Sequence, residues 1–272
     1  MKILLFFSLF SSLLFVSSCQ KVIDIKLDGN EPVPVIEAYI EEDSLCMVQL
    51  SSTIDIFDAE LPSFVTDAVI TISDDQGNNE TLLYSDFGAY RGISLRGVVG
   101  RTYSISVTID GTEYKASSSM KPVVPIDSVV IRLDTNLFPP GSPFNYQDVT
   151  LHYTDPSTAK NSYLLQFVYA PSPNNDDAYF IDRKFLLNDD NKNGQAESVN
   201  LFSQNLQSGD VIIAELRSID QAVFDYYFSI EDALTSNSFT SAAPANPTTN
   251  LSNGALGYFG AWSKSVEFLL VP

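Results

Sequence analysis

Histidine, the residue most often used for metal binding and proton transfer, is nearly absent from this sequence. The chain contains one histidine in 272 residues. A site built from several histidines is therefore excluded, and a Ser-His-Asp arrangement has to use His152. This residue lies in the alternating segment "VTLHYTD", on the face opposite Val149 and Leu151, and no G-x-S-x-G motif accompanies it. We interpret His152 as a structural or surface residue.

Cysteine is almost as scarce, with two residues. Cys46 lies in "SLCMVQL", an alternating segment in which a small buried core residue is expected. It has no neighbouring base and is a poor candidate for a nucleophile. If Cys19 carries a lipid, no disulfide forms within the mature chain.

Basic residues are too few to balance the acids. The chain has 15 Lys and Arg against 34 Asp and Glu, a formal net charge of −19. Nucleic-acid binding depends on Lys and Arg at phosphates, so this composition excludes nucleic acid as a partner. It also disfavours polybasic attachment to anionic lipid. The usual consequence of such a charge is solubility.

A long hydrophobic run occurs only at the start. The apolar run from Ile3 to Val16 is shorter than the roughly 20 residues of a membrane-spanning helix. Preceded by Lys2 and followed by small residues, it is typical of a secretory signal peptide. Val16-Ser17-Ser18-Cys19 fits a bacterial lipobox, in which cleavage precedes a diacylglyceryl cysteine. The alternative is an ordinary secretory signal with a chance cysteine at this position.

From this pattern we predict a signal peptide over residues 1–18, lipidation of Cys19 and a tether over 19–34. The acyl chains then hold the protein at the membrane. The residues that follow Cys19 are compatible with a periplasmic or a cell-surface position.

The first part of the mature chain alternates apolar and polar residues with a period of two. Examples are "VIEAYIEE", "LCMVQLSST" and "TYSISVTIDGTEYKASS", the last with a hairpin turn at Asp110-Gly111. About seven short strands in some 90 residues predict an immunoglobulin-like or prealbumin-like β-sandwich over 35–121.

Two prolines in "KPVVPIDS" mark a boundary near residue 122. Strand patterns resume beyond it, so 122–272 is predicted to be a larger antiparallel β part. One helix is expected near 219–234, because Val223, Tyr227 and Ile230 recur at helical spacing after a capping box that begins at Ser218. Two final strands are expected around "GALGYFGAW" and "SVEFLLV". The predicted fold class is all-β with one helix.

Several stretches, in this order, resemble one family. They are "CQKVIDIKL", "PVIEAYI", "VTDAVITISDDQGN", "GAYRG", "GRTYSISVTIDGTEYKASSSM", "PIDSV", "GD" at 209–210, "FDYYFSIEDAL" and "NPTTNLSNGALGYFGAWS". Together with the lipobox, they make the chain similar to Bacteroidota lipoproteins with a DUF4249 domain, a family named for its unknown function. The resemblance covers the mature chain and supplies no catalytic residues. It implies an outer-membrane location and, as a partner, a TonB-dependent receptor in nutrient uptake.

One loop has the ligand spacing of a calcium site. Asp189, Asn191, Asn193 and Gly194 form D-x-N-x-N-G, and Glu197 follows at the ninth position. The twelfth position holds an asparagine instead of the bidentate Glu of an EF-hand. A solvated hairpin turn is the alternative, since Asp and Asn-Gly favour turns. Calcium at this loop is the only cofactor that the sequence raises.

Aromatic residues near the C-terminus are candidates for ligand or partner contact. Tyr258, Phe259 and Trp262 lie close together, and Tyr226, Tyr227 and Phe228 fall on the predicted helix. Part of this set is expected in the core, because the alternation continues into the last strand.

The leading functional hypothesis is a non-catalytic, lipid-anchored outer-membrane protein that assists a TonB-dependent transporter in nutrient capture. A structural or adhesive surface lipoprotein is the first alternative. A hydrolase that uses scattered carboxylates is the second, because two acids can come from anywhere in a fold. The adjacent acids at 74–75, 176–177 and 189–190 fall in turns, where solvation explains them.

The lipobox leads to a first prediction. Cys19→Ala should abolish labelling with a fatty-acid analogue and release mature protein or leave unprocessed precursor, because the acyl chains attach to this thiol. Cys46→Ala should leave the labelling unchanged. Equal labelling of wild type and Cys19→Ala would contradict a lipid anchor at this position.

Overall fold

The computed structural model describes residues 32–54, 63–133, 146–175, 178–190, 192–235 and 246–272. The predicted signal peptide, Cys19 and nearly all of the tether lie outside the described residues, so lipidation stays a prediction. No helix in the described part is long and apolar enough to cross a membrane.

Strands make up most of the described chain. The first eight are β1 (Pro34–Glu41), β2 (Leu45–Ser52), β3 (Val69–Asp74), β4 (Asn79–Thr81), β5 (Leu83–Tyr84), β6 (Ala89–Arg96), β7 (Thr102–Ile109) and β8 (Thr112–Ser119). The others are β9 (Ile126–Leu133), β10 (Gln147–Thr154), β11 (Ser162–Ala170), β12 (Ile181–Asn188), β13 (Ala196–Gln204), β14 (Val211–Ile219) and β15 (Leu256–Leu270). Helix α1 spans Gln221–Thr235.

Three sheets are stacked into two sandwiches. The largest has eight strands in the order β12-β11-β14-β15-β1-β2-β6-β5. A four-stranded sheet, β4-β3-β7-β8, covers its β1 half, and a three-stranded sheet, β13-β10-β9, covers its β14 half. Alternating residues of each strand face the sheet opposite, which gives the period of two in the sequence.

Strand β15 belongs to both sandwiches. Its first half pairs in parallel with β1, with Leu256 opposite Val35 at one end and Trp262 opposite Glu41 at the other. Its second half pairs antiparallel with β14, with Ser263 opposite Ser218 at one end and Leu270 opposite Val211 at the other. The strand therefore changes partner at Ser263 without a turn, and it ties the two sandwiches together.

The buried apolar residues form three clusters. One fills the first sandwich and includes Ile36, Tyr103 and Phe259. The second fills the other sandwich and includes Phe167 and Leu216. The third lies on the opposite face of the large sheet, where α1 packs on β11, β12 and β15. The middle of β15 is consequently buried on both faces, and residues 257–263 are all buried.

The predicted all-β fold with one helix is confirmed. Residues Pro32–Pro272 form one compact unit, and the first core includes Leu251, Ala255, Phe259 and Ala261 from beyond the boundary expected near residue 122. The helix occupies the expected region, but its N-cap is Asp220, whose Oδ1 accepts the Val223 N–H at 2.9 Å. Ser218, the expected cap, lies inside β14.

Two strand predictions need correction. The two final strands are one continuous strand, because Ser263 remains extended and donates its hydroxyl to the Lys121 carbonyl at 2.8 Å. Strand β13 was not predicted, since polar residues dominate it and only Leu201, Phe202 and Gln204 are buried.

The parallel contact between β1 and β15 generates a second prediction. Gly257 has a φ of +98°, and a Cβ there would lie 2.1 Å from the Ile36 carbonyl oxygen. Gly257→Ala should lower the free energy of unfolding by about 1–3 kcal/mol for the backbone strain. The steric clash should add about 1–3 kcal/mol, because the neighbouring atom is backbone and has little freedom to move. Denaturant unfolding of this variant measures the sum of the two losses.

Gly254→Ala is the matched control, since Gly254 has a φ of +77° but open space around its Cβ position. It should show the strain contribution without the clash. Equal losses in the two variants would contradict close packing of β15 on β1.

Candidate functional site

The outer face of the large sheet carries a cleft beside α1. Its volume is about 270 Å³. The residues that line it and are used below are Glu37, Tyr39, Gln49, Lys184, Tyr227 and Tyr258. They come from five separate elements, so the cleft exists only in the folded chain.

Strand register explains how these side chains meet. Glu37 lies opposite Gln49 on β2 and opposite Tyr258 on β15, which places the three in one row across the sheet. Tyr39 is two residues further along β1 and therefore shares their face. Tyr227 reaches the same face from α1, where it packs against Tyr258.

Aromatic rings form the floor and one wall. Tyr39 stacks on Trp262 with ring centroids 5.2 Å apart and an interplanar angle of 16°. Tyr258 contacts Tyr226 at 4.8 Å and Tyr227 at 5.4 Å between centroids. The Tyr227 hydroxyl donates to that of Tyr258 at 3.0 Å. This geometry presents rigid ring faces to whatever enters the cleft.

The tyrosines of the cleft are neutral at physiological pH. Burial raises the pKa of Tyr226 to about 12, with the nearby Glu37 carboxylate as a further cause. Burial also raises the pKa of Tyr258, and the neighbouring Tyr227 adds to the shift. The Tyr258 phenol can therefore donate a hydrogen bond to a ligand, while the Tyr227 hydroxyl, which donates to Tyr258, can accept one.

A network of charges fixes the floor. The Trp262 indole N–H donates to Glu41 at 3.1 Å, and Lys264 forms ion pairs with Glu41 at 2.8 Å and Glu215 at 3.3 Å. The Arg217 guanidinium lies over the Trp262 ring at 5.6 Å. These contacts hold Trp262 in one orientation beneath Tyr39.

The rim carries charges of both signs. The Lys184 ammonium lies 5.3 Å from the centre of the Tyr227 ring. Glu37 is exposed, and within the described part of the chain its carboxylate has neither an ion pair nor a hydrogen bond. An unpaired carboxylate beside ring faces suits a small organic ligand with a positive charge or several hydrogen-bond donors.

The structure separates the three aromatic residues predicted as contacts. Tyr258 lines the cleft. Phe259 points to the opposite face and is fully buried in the first sandwich, and Trp262 is buried beneath Tyr39. Sequence reasoning missed Glu37 and Tyr39, because nothing local indicates that the first strand pairs with the last.

The predicted calcium ligands that the structure describes have partners within the protein. The Asp189 carboxylate is buried and accepts the Asn161 N–H at 2.9 Å, while Glu197 lies on β13 and forms an ion pair with Lys192 at 2.9 Å. The Asn193 side chain donates to the Ser157 carbonyl, and Asn191 lies outside the described residues. No group of three His, Cys, Asp or Glu residues in the described part is arranged to hold a metal. Calcium binding stays a prediction that rests on sequence spacing.

Neither Cys46 nor His152 lies in an environment that would activate a nucleophile. Cys46 is fully buried in the first core, as predicted, and burial raises the pKa of its thiol. His152 is partly exposed and its Nδ1 lies 2.7 Å from the Ser198 hydroxyl, directly across from it on β13. No carboxylate in the described chain bonds to the other nitrogen of His152, so nothing orients the ring for catalysis.

The adjacent acids that the sequence raises for a hydrolase have ion-pair partners at Asp74 and Asp190. Asp74 pairs with Arg101 at 2.6 Å in the β3–β4 turn, and Asp190 pairs with Lys160 at 2.7 Å. Residues 176–177 lie outside the described residues.

Asp210 of the "GD" pair is a structural carboxylate. It is fully buried and accepts hydrogen bonds from the Tyr169 hydroxyl, the Asn175 amide and the N–H groups of Ser172 and Gln207, all within 2.9 Å. Burial acts to raise the pKa of Asp210, but these hydrogen bonds hold it below the ordinary value. The carboxylate therefore stays charged and ties two loops together.

Comparison with known proteins gives one family match. The profile of the family described as "Domain of unknown function (DUF4249)" matches residues 20–267. No curated protein matches the sequence.

Solved structures show only distant similarity. A two-domain fibronectin type-III segment of chicken tenascin shares 10% identity over 90% of this chain and 100% of that chain, with a TM-score of 0.23. Pullulanase from Anoxybacillus sp. LM18-11, complexed with maltotriose, shares 10% identity over 66% of this chain and 24% of that chain, with a TM-score of 0.22. CBD12 from CALX1.2 shares 8% identity over 86% and 100% of the two chains, with a TM-score of 0.24. At these TM-scores the similarities carry no functional argument.

The contacts of Asp189 lead to a third prediction. Asp189→Ala leaves the Asn161 N–H without its acceptor and should cost about 1–3 kcal/mol in the free energy of unfolding. Because the role of this carboxylate is structural, we expect the same loss in excess calcium and in chelator. Denaturant unfolding under the two conditions measures it.

Asp190→Ala is the neighbouring control, and loss of its exposed ion pair with Lys160 should leave the free energy of unfolding nearly unchanged. If the loop binds calcium, saturating metal should stabilise the wild type alone, by about 2.7 kcal/mol at 100 times the dissociation constant. That result would contradict a purely structural Asp189.

Proposed function

The chain belongs to the DUF4249 family, a domain of unknown function, and from this premise we propose that it is a lipid-anchored outer-membrane accessory protein. In this proposal it captures a small ligand for a TonB-dependent transporter and does not transform it. The aromatic cleft on the large sheet is the observation that carries the proposal.

The cleft supports binding because its parts are preorganised. Tyr39, Tyr227 and Tyr258 are held by ring contacts and by the Tyr227–Tyr258 hydrogen bond before any ligand arrives. A ligand then loses little free energy to the ordering of protein side chains. Glu37 and Lys184 at the rim supply charges that select the ligand.

Capture without catalysis is proposed because the cleft offers one carboxylate and no partner for it. Glycoside hydrolysis needs two carboxyl groups about 5–9.5 Å apart across the bond that is cleaved. Glu37 is the only acid among the described residues that line the cleft. His152, on the three-stranded sheet, comes from an element that contributes nothing to the cleft.

The proposals of a lipid anchor and of a transporter partner rest on the sequence. The lipobox at Val16–Cys19 supports attachment to the membrane, and the family resemblance supports a TonB-dependent barrel as partner. A compact β body on a tether can meet such a barrel while its acyl chains stay in the bilayer.

The fourth prediction tests both the transporter and the small ligand of the proposed function. The lipidated full chain, purified from detergent-solubilised outer membranes, should bring down a TonB-dependent barrel. A thermal-shift screen of sugars, organic amines and short peptides should yield stabilising ligands. Tyr227→Ala should remove the shift because it deletes a wall of the cleft. Phe228→Ala is the matched control on the same helix, since Phe228 is exposed and does not line the cleft.

Three results would overturn the proposal. The first is a pull-down without any transporter. The second is a ligand whose stabilising effect is the same in wild type and Tyr227→Ala. The third is turnover of an ester, peptide or glycan by the purified chain, and its loss in Ser198→Ala would then identify the His152–Ser198 pair as catalytic.

A further inference from the structure

A second recess lies at the junction of the two sandwiches, away from the aromatic cleft. It is a groove of about 560 Å³ between the end of β8 and the beginnings of β11 and α1. Ser117, Ser119, Lys121, Lys160 and Ser162 line it. Its volume falls within the range of pockets that hold ligands.

One wall of the groove is an open strand edge. Strand β8 is the last strand of the four-stranded sheet. The Met120 N–H donates to the Arg101 carbonyl, and the Gly100 N–H donates to the Met120 carbonyl. The backbone N–H and C=O groups of the even-numbered residues of β8 therefore point toward β7. The N–H and C=O groups of Ser117 and Ser119 therefore point away from the sheet.

The chain covers this edge only in part. The Ser252 N–H donates to the Lys115 carbonyl, and the Lys115 N–H donates to the Ser252 hydroxyl, both at 2.8 Å. Among the described residues the cover does not extend further along β8, and the outward groups of Ser117 and Ser119 have no backbone partner there. Exposed strand edges of this kind are templates for pairing with another chain.

The Ser162 side chain also lines the groove. A serine hydroxyl can both donate and accept hydrogen bonds, so it can meet a polar group of a ligand.

Charge indicates which ligand fits. Among the described residues the Lys121 ammonium has no carboxylate partner, and Lys160 contributes a second positive charge that is shared with Asp190. Asp220 is the one acid among the described residues that line the groove, and both of its oxygens are occupied, by the Val223 N–H at 2.9 Å and by the Ser118 hydroxyl at 2.5 Å. In a chain of net charge −19 this is a local site for a negative group.

We propose that this groove binds an extended peptide segment with acidic side chains, which adds as a strand to the open edge of β8. The peptide backbone pairs with Ser117 and Ser119. A carboxylate of the peptide meets Lys121, and a polar group meets the Ser162 hydroxyl. Strand addition of this type takes its affinity from main-chain hydrogen bonds and its specificity from neighbouring pockets.

A peptide fits this edge better than a simple anion or a glycan. The edge presents donors and acceptors in alternation, and a peptide backbone offers the complementary alternation at the same repeat. An inorganic anion satisfies the donors and leaves the carbonyl groups without partners. The proposal is independent of the aromatic cleft and of the transporter.

The test uses the full chain and a fluorescein-labelled octapeptide of alternating threonine and glutamate, with binding followed by fluorescence anisotropy. The same peptide with alternate backbone amides N-methylated should bind at least about tenfold more weakly, because each lost hydrogen bond removes about 1 kcal/mol or more. A peptide with lysine in place of glutamate should also bind about tenfold more weakly, since it loses the charge-assisted contact.

Protein variants locate the binding site. Lys121→Ala should weaken binding of the glutamate peptide about tenfold by removing a charge-assisted contact. Lys115→Ala, which removes an equal charge from β8 outside the groove, should leave binding within about twofold. Ser117→Pro should abolish binding, because proline removes an outward N–H that no ladder bond uses and is tolerated on edge strands.

The outcomes separate cleanly. Selective loss with N-methylation, Lys121→Ala and Ser117→Pro supports strand addition. No binding up to millimolar peptide, equal binding of the N-methylated peptide, or equal weakening by Lys115→Ala would overturn the proposal. If Ser117→Pro melts early, the N-methylated peptide still decides the outcome, because it leaves the protein unchanged.

Discussion

Strand β15 changes its hydrogen-bonding partner at Ser263, and the positions of the main surface features follow from that change. Residues 256–262 complete the first sandwich beside β1, and residues 263–270 complete the second beside β14. A single extended backbone therefore belongs to both cores. Because a strand in two ladders cannot slip in one without breaking the other, the relation between the sandwiches is fixed by hydrogen bonds and not by a linker.

Both recesses lie beside β15. On the outer face, α1 packs over β15, and the cleft forms where α1 meets the row of Gln49, Glu37 and Tyr258. On the inner side, the β8 edge passes close to β15, and the Ala261 N–H donates to the Ser118 hydroxyl at 2.8 Å. The groove opens beside this contact, where the two sandwiches diverge.

Local patterns in the sequence predict the local structure well. The hairpin at Asp110-Gly111 is present as expected, with Ile109 paired to Thr112. The helix follows its apolar spacing, although the cap is Asp220 because β14 continues through Ser218. Such features depend on residues that are neighbours in the chain, so one sequence contains the information for them.

Non-local pairing accounts for what the sequence did not reveal. The first and last strands pair across more than 200 residues, as Glu37–Tyr258 illustrates, and nothing near either residue indicates the other. The continuous burial of residues 257–263 also hides the strand's alternation, because sheet and helix cover opposite faces. Aromatic residues in such a run resemble an exposed cluster in sequence, although Phe259 and Trp262 are core.

Stability and ligand binding are coupled in the floor of the cleft and separable at its rim. Tyr258 and Trp262 belong to the cluster that holds α1 on the sheet, so their replacement removes large buried side chains and costs about 3–5 kcal/mol, as for other buried aromatic residues. The exposed Glu37 and Lys184 make no comparable contacts. Changes at the rim alter charge next to fixed ring faces while the fold persists. Under the proposed function, ligand selectivity can therefore change through Glu37 and Lys184, while the aromatic floor stays constant because the helix depends on it.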